Sequence, residues 1–177
     1  MLHVALLRNV NVGQRASPTT AQILAAFAEA TIVDAQTFQS NGTVIFTASP
    51  DAAQSLAQDA VAALARATGL DREVFTRPLE SLRPIVEQHG DTADARLREL
   101  TLHDGPRLLS DDPAVLDAER RARCTVLDSG TGWAVVLNHR EHQGNGTPLV
   151  ERIVGTPASS RGIPTMTRLL EKYGASP

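Results

Sequence analysis

The pattern of apolar and polar residues predicts alternating strands and helices in the first half of the chain. The apolar run at residues 3–7, continued by Val10 and Val12, predicts a buried strand, and Gly13 ends it. Ser17-Pro18 then predicts a helix start, because Ser is a favoured N-cap and Pro suits the first turn. Residues 35–40 and Thr43–Thr47 predict two strands. The turn sequence Asn41-Gly42 between them predicts that they form a hairpin.

A second helix and a fourth strand complete this pattern. Ser49-Pro50 repeats the capping sequence, an apolar stripe of 3.6-residue period follows, and Gly69 predicts the helix end. Residues 73–77 predict the fourth strand, and residues 79–89 a trailing helix that contains Pro84. The order strand, helix, strand, strand, helix, strand predicts a ferredoxin-like βαββαβ unit with helices on one sheet face and the other face open.

The second half also alternates strands and helices, so we predict an α+β protein of two ferredoxin-like, or α-β plait, halves. The second half is predicted to be shorter and degenerate, and the domains to be residues 1–90 and 91–177. The predicted elements are a strand at Arg98–His103, a helix capped by Asp112, strands at residues 124–127 and Trp133–Asn138, a helix capped by Thr147 and ended by Gly155, and a last helix starting near Ile163.

Composition narrows the class of protein. Of 177 residues, 42% are hydrophobic and 3% aromatic, so a packed core of small aliphatic side chains is expected. The net charge of −3 argues against a dedicated nucleic-acid binder, which usually carries a basic surface. The single cysteine, Cys124, excludes an intramolecular disulfide and favours a buried apolar role. Without a signal peptide or a long apolar run, a soluble, cytoplasmic protein is expected.

Arg8, Asn11 and Gly13 form the first candidate binding site, where the first strand turns toward a helix. An arginine offers a planar fork of donors to a phosphate or a carboxylate, so a small anionic ligand is the expected partner. The alternative is structural: Arg8 pairs with a local acid and Asn11 forms a turn.

Ser160, Arg161 and Thr165, with Ser159, form the second candidate site, just before the last helix. The first backbone N–H groups of a helix attract anions. If the two halves face each other, Arg8 and Arg161 could share one ligand. The alternative is a capped helix with a surface arginine.

Two further patterns are weaker. The glycines of Gly144-Asn145-Gly146-Thr147 suggest an anion cradle, but a loop followed by an N-cap is the preferred interpretation because the P-loop lysine and spacing are missing. His139 and His142 have the spacing of a metal pair but no third ligand nearby, so neither a metal nor a cofactor is predicted.

Several stretches resemble the domain of unknown function 1697 family of uncharacterised bacterial proteins. ALLRNVNVG at residues 5–13 resembles the family motif ALLRGINVG, and residues 37–46 are similar to its TYIQSGNVVF hairpin. VFTR at residues 74–77 resembles its VLVR strand, and residues 157–170 its closing PATTRNWNTVTKLL. The resemblance implies two plait-like halves and no particular activity. Asn9, in place of glycine, and residues 162–164, in place of Asn-Trp-Asn, depart from the family pattern.

The sequence therefore favours a small-ligand-binding or anion-binding cytoplasmic protein with a polar site between the two halves. One alternative is an enzyme of unknown reaction that uses the same cleft. Another is nucleic-acid binding through the open sheet face, with Phe38, Phe46 and Phe75 as stacking candidates. The sequence does not indicate the oligomeric state, and a homo-oligomer is one of the alternatives.

Overall fold

Two four-stranded antiparallel sheets, one in each of two structural units, organise the chain. The computed structural model describes residues 1–174. The first unit is Met1–Ser81, and the second begins at Leu82. The domain boundary expected after residue 90 stays a prediction.

The first unit has the predicted ferredoxin-like order, with the sheet order β2-β3-β1-β4. Its elements are β1 (Leu2–Leu7), α1 (Thr20–Glu29), β2 (Gln36–Phe38), β3 (Thr43–Thr47), α2 (Ala53–Thr68) and β4 (Val74–Pro78). Helix α3 (Leu79–Gly90) follows and lies mostly in the second unit.

Local hydrogen bonds explain where these elements begin and end. The first helix starts later than Ser17-Pro18 predicts, because Thr19 and Gln22 form a reciprocal capping box at its N-terminus. Strand β1 stops at Leu7, well before residue 12, since Asn9 adopts a left-handed backbone with φ of 55°. Gly69 ends α2 in the left-handed conformation, as predicted.

The core of the first unit lies between its sheet and the helices α1 and α2. Ala5 and Leu7 of β1 point into it, as do Phe27 of α1, Phe46 of β3 and Leu64 of α2. Phe46 is fully buried there. It is therefore not placed to stack on a nucleic-acid base.

The second unit repeats the same topology, with the sheet order β6-β7-β5-β8 and a trailing helix α6. The prediction of two plait-like halves is confirmed, and the second half has all six elements. Its elements are β5 (Arg98–His103), α4 (Pro113–Ala122), β6 (Cys124–Gly130), β7 (Trp133–Asn138), α5 (Gly146–Val154), β8 (Ala158–Gly162) and α6 (Ile163–Tyr173).

The repeat extends to single residues. Arg77 of β4 pairs with Val4 of the central strand in the first sheet, and Arg161 of β8 pairs with Leu100 of the central strand in the second. Each arginine donates from Nη1 to the carbonyl of the residue before it, at 2.7 Å. The two halves therefore share an arginine at an equivalent position of their last strands.

Membrane crossing by a helix needs roughly 20 apolar residues. Within residues 1–174, none of the helices combines that length with sufficient hydropathy.

Candidate functional site

The first candidate site consists of Arg8, Asn11 and Gly13. Its residues have contacts within the protein, as the structural alternative to ligand binding expects. The guanidinium of Arg8 lies 3.4 Å from a carboxylate oxygen of Glu73, across the strand exit. The backbone N–H of Asn11 donates to Ser17 Oγ at 2.8 Å. Gly13 has a φ of +94°, which favours glycine. A role for these three residues in binding stays a prediction.

The second predicted cluster is split by the strand that carries it. Ala158–Gly162 forms β8, and successive side chains of a strand point to opposite faces. Ser160 therefore faces the helices α4 and α5, while the Arg161 guanidinium lies on the other face with Ser159 Oγ at 3.1 Å. Thr165 lies in the first turn of α6, and its Oγ1 accepts from Arg168 at 3.5 Å. Ser160 and Arg161 do not face one shared pocket.

Arg161 is a buried cation, with 8% of its surface exposed. Burial lowers the pKa of its guanidinium to about 10, while the nearby carboxylate of Glu99 acts in the opposite direction. The alternative interpretation, a capped helix with a surface arginine, is wrong, since Arg161 is buried on strand β8.

The N-terminus of α5 is occupied by a carboxylate of the chain itself. Glu99 Oε2 accepts from the backbone N–H of Gly146 at 2.9 Å and from Asn138 Nδ2 at 3.0 Å. Asn138 Oδ1 in turn accepts from the backbone N–H of Asn145 at 2.9 Å. A carboxylate at a helix N-terminus is electrostatically favourable. The backbone of the glycine-rich segment at the start of α5 thus binds the carboxylate of Glu99 instead of an external anion.

Hydroxyl groups extend this polar network along the sheet. Thr101 Oγ1 lies 2.7 Å from Ser160 Oγ, which lies 2.8 Å from Thr147 Oγ1. Thr147 was predicted to cap α5, but the helix begins one residue earlier, at Gly146, with Asn145 as its N-cap. A Cβ added at Gly146 would lie 2.7 Å from Thr101 Oγ1 and 2.9 Å from Ser160 Oγ. The network therefore requires glycine at this position.

A second polar chain surrounds His89. Arg98 Nη1 donates to His89 Nδ1 at 2.9 Å, and His89 Nε2 lies 3.4 Å from Asp128 Oδ2. Because Nδ1 accepts a hydrogen bond, the geometry favours a neutral imidazole protonated on Nε2. Arg98 Nη2 also lies 2.7 Å from Asp94 Oδ1. The pKa of Asp94 is lowered, first by a hydrogen bond from Thr92 and then by the charge of Arg98.

A β-bulge in β6 gives Asp128 its position in this chain. The pairing with β7 shifts between Val126 and Asp128, so Leu127 is an extra residue in β6. The shift turns Asp128 to the sheet face opposite the core, where it pairs with Val135. No local sequence pattern marks this bulge, and His89 and Asp128 are 39 residues apart. The contact was therefore not predictable from motif spacing.

A groove between α3 and α6 in the second unit forms a cavity of the size that a small ligand needs. Its volume is 660 Å³. We call it the α3/α6 groove. Its lining residues are Arg83, Val86, Glu87, Gly90, Asp91, Thr167, Leu170, Glu171 and Gly174.

Two contacts between the helices lie at opposite ends of the α3/α6 groove. Arg83 donates from Nη2 to the carbonyl oxygen of Gly174 at one end. At the other end, a Cβ added at Gly90 would lie 3.1 Å from Thr167 Oγ1, so the two helices approach closely there. These contacts pair the end of α3 with the start of α6, and the helices therefore run antiparallel.

The floor and the rim of the α3/α6 groove differ in polarity. Val86 and Leu170 form an apolar floor and are 1% and 6% exposed. Glu87, Asp91 and Glu171 lie at the exposed rim. Such a combination of apolar surface and a few charged groups is typical of small-molecule sites.

Cys124 is fully buried in β6, which confirms the apolar role predicted for it. Burial raises the pKa of its thiol to about 11, and the charges of Glu119 and Glu99 act in the same direction. The thiol is therefore protonated at neutral pH and is a poor nucleophile.

His139, one of the two histidines considered for a metal, and the neighbouring Glu141 have other partners. His139 Nε2 lies 2.9 Å from Thr125 Oγ1, and Glu141 pairs with Arg96 at 2.7 Å. Across the described residues, 1–174, no three His, Cys, Asp or Glu side chains are grouped as metal ligands would be.

Comparison with known proteins identifies a family and no activity. The family model for "Protein of unknown function (DUF1697)" matches residues 1–120, which include the whole first unit and most of α4. No curated protein and no solved structure matches the chain. The α6 wall of the α3/α6 groove lies outside the matched residues. Because the match covers more than half of the sequence, the chain belongs to the DUF1697 family.

Proposed function

We propose that this protein binds a small ligand in the α3/α6 groove. The observation that carries the proposal is the groove itself, whose 660 Å³ lies within the range of roughly 300–1,000 Å³ that is usual for small-molecule sites. Its buried floor, Val86 and Leu170, offers apolar contact to a ligand, and its charged rim offers orientation.

Binding without catalysis fits the groove better than an enzymatic role. Nucleophilic catalysis needs a hydroxyl or thiol beside a base that is held in place. Thr167 is the hydroxyl residue of the lining, and its Oγ1 donates to the carbonyl of Ile163 at 3.1 Å, within the helix. His89, a possible base, is only 5% exposed, and its Nδ1 already accepts a hydrogen bond from Arg98.

Nuclear magnetic resonance with a library of small molecules tests the proposal. Binding in the groove should shift the backbone amide signals of Gly90, Thr167 and Gly174 in a saturable manner. Thr167→Met fills the groove and should abolish the shifts, while Thr165→Met, a half-buried position on the same helix outside the lining, should preserve them. If no compound of the library shifts these amide signals in the folded protein, the result counts against the proposal.

A second candidate function is the binding of a small anion at Arg161. The observation that favours it is the burial of this guanidinium, which lowers its pKa to about 10. A guanidinium also offers a planar fork of donors that suits phosphate and carboxylate groups. Whether Arg8 contributes to the same ligand stays a prediction.

Titration with inorganic phosphate and with acetate tests this second candidate. Arg161→Gln should remove binding, whereas Arg168→Gln, the same change at an exposed position of α6, should leave it intact. Equal affinities of the two variants would refute a site at Arg161. Circular dichroism of both variants establishes that the fold is retained.

We also propose a cytoplasmic location. The support is the cysteine content, since the one cysteine, Cys124, is a buried free thiol as expected in a reducing compartment. Fractionation of cells followed by immunodetection tests this location.

A further inference from the structure

The charges around the α3/α6 groove are predominantly acidic. Three carboxylates, those of Glu87, Asp91 and Glu171, line it together with one guanidinium, that of Arg83. Arg83 lies 3.6 Å from Glu87 and also donates to the carbonyl of Gly174. The cation therefore holds the end of the groove together, and the rim facing solvent is negative overall.

We propose that the α3/α6 groove selects a small organic amine, in which one or more ammonium groups are joined to an apolar chain. This inference rests on the proposed function and specifies its ligand class. The ammonium groups pair with the rim carboxylates, and the methylene groups lie on Val86 and Leu170.

The distribution of charge over both walls supports an amine with more than one cationic group. Glu87 and Asp91 are on the α3 side, and Glu171 is on the facing helix α6. A ligand lying along the floor between them thus meets a carboxylate on each side. A carboxylate ligand in the same place would be repelled by like charge, and a neutral ligand would gain no ionic contact.

The interhelical contacts at the two ends of the groove favour a small molecule over a polypeptide. The contact of Arg83 with Gly174 bounds one end, and the close approach of Gly90 to Thr167 bounds the other. An extended peptide needs a continuous channel or a free strand edge, whereas a chain of a few methylene groups fits between these contacts.

An isosteric series of three compounds tests the charge preference. Hexane-1,6-diamine, hexane-1,6-diol and adipate share the same carbon chain and carry positive, zero and negative charge. We expect the diamine to shift the amides of Gly90, Thr167 and Gly174 in a saturable manner, the diol to bind more weakly, and adipate not to bind. The affinity for the diamine should fall as salt is added, because the contacts are exposed to solvent.

Carboxylate variants identify the groups that select the amine. Glu87→Gln and Glu171→Gln should each weaken binding of the diamine by about 2- to 5-fold, as expected for partly exposed ion pairs. The matched control is Asp104→Asn, which removes one carboxylate of the same unit outside the groove and should leave the affinity unchanged.

The outcomes separate this inference from the function on which it rests. Equal binding of diamine and diol, or a diamine affinity that survives in Glu87→Gln/Glu171→Gln, would overturn amine selection. If another ligand still shifts the groove amides, the proposed binding function stands without amine selection. If neither this series nor the library moves Gly90, Thr167 and Gly174, both proposals fall.

Discussion

Replacement of Gly146 by alanine tests whether the polar network at the start of α5 is closely packed. Helix propensity alone favours alanine over glycine by up to about 1 kcal/mol. The structure predicts the opposite sign. An added Cβ would lie 2.7 Å from Thr101 Oγ1, 2.9 Å from Ser160 Oγ and 3.0 Å from Glu99 Oε2.

The expected magnitude follows from these three contacts. Insertion of a methyl group into a packed site costs about 1–3 kcal/mol. Displacement of Glu99 or Ser160 would also weaken hydrogen bonds worth about 1 kcal/mol each. After subtraction of the helix-propensity gain, Gly146→Ala should lower the free energy of unfolding by about 2 kcal/mol.

Gly144 provides a matched control two residues away. A Cβ there would meet one atom, Glu99 Oε1, at an ordinary contact distance of 3.5 Å. Gly144→Ala should therefore change the free energy of unfolding by less than about 0.5 kcal/mol.

Urea unfolding followed by tryptophan fluorescence measures both variants. The single tryptophan, Trp133, lies in β7 and reports on the second unit. With a denaturant slope of about 1–3 kcal/mol/M, Gly146→Ala should lower the urea midpoint by roughly 1 M. A midpoint equal to or above that of the unchanged protein would refute the close packing inferred for Gly146.

Three further predictions concern titratable groups. Because burial raises the pKa of Cys124 from 9.0 to about 11, its stabilising contribution is present below pH 9 and is lost as the pH rises to about 11. The free energy of unfolding of the protein and of Cys124→Ala, measured at pH 8 and 10.5, checks this. A difference between the two proteins that is the same at both pH values would contradict it. Burial lowers the pKa of His3, so the protein should lose stability as the pH falls below 6.5, where the unfolded histidine gains a proton; a proton NMR titration of His3 with a midpoint above 6.5 would disprove it. His89 should carry its proton on Nε2, since Arg98 donates to Nδ1, and long-range ¹⁵N–¹H spectra showing the Nδ1-protonated tautomer would exclude the arrangement with Asp128.

Much of the fold was predictable because local sequence determines many of its boundaries. Thr43–Thr47 and Arg98–His103 match β3 and β5. Gly69 and Gly155 end their helices with φ of 72° and 74°, as expected where a helix stops in the left-handed conformation. The side chain of Asp112 caps α4 by accepting from the backbone N–H of Ala114 at 2.8 Å.

Strand β8 was missed because its sequence, Ala-Ser-Ser-Arg-Gly, is rich in residues that do not favour strands. Its stability comes from tertiary structure. The strand pairs with β5, and Ser160 joins the hydroxyl network with Thr101 and Thr147. A polar strand of this kind has no apolar pattern for sequence analysis to detect.

The candidate site was less predictable than the fold, because distant segments form it. The α3/α6 groove joins Arg83 to Gly174, 91 residues later in the chain. Arg8 was predicted as a binding residue because of its position at a strand exit, and in the structure it lies beside Glu73. Motif spacing identifies groups that are close in sequence and cannot identify two helix faces that fold together.

The most direct test of amine binding is to locate hexane-1,6-diamine on the protein by intermolecular nuclear Overhauser effects. We expect contacts from the methylene protons of the diamine to the methyl groups of Val86 and Leu170, which form the groove floor. Contacts to methyl groups elsewhere, with none to these two residues at saturating diamine, would contradict amine binding in the α3/α6 groove.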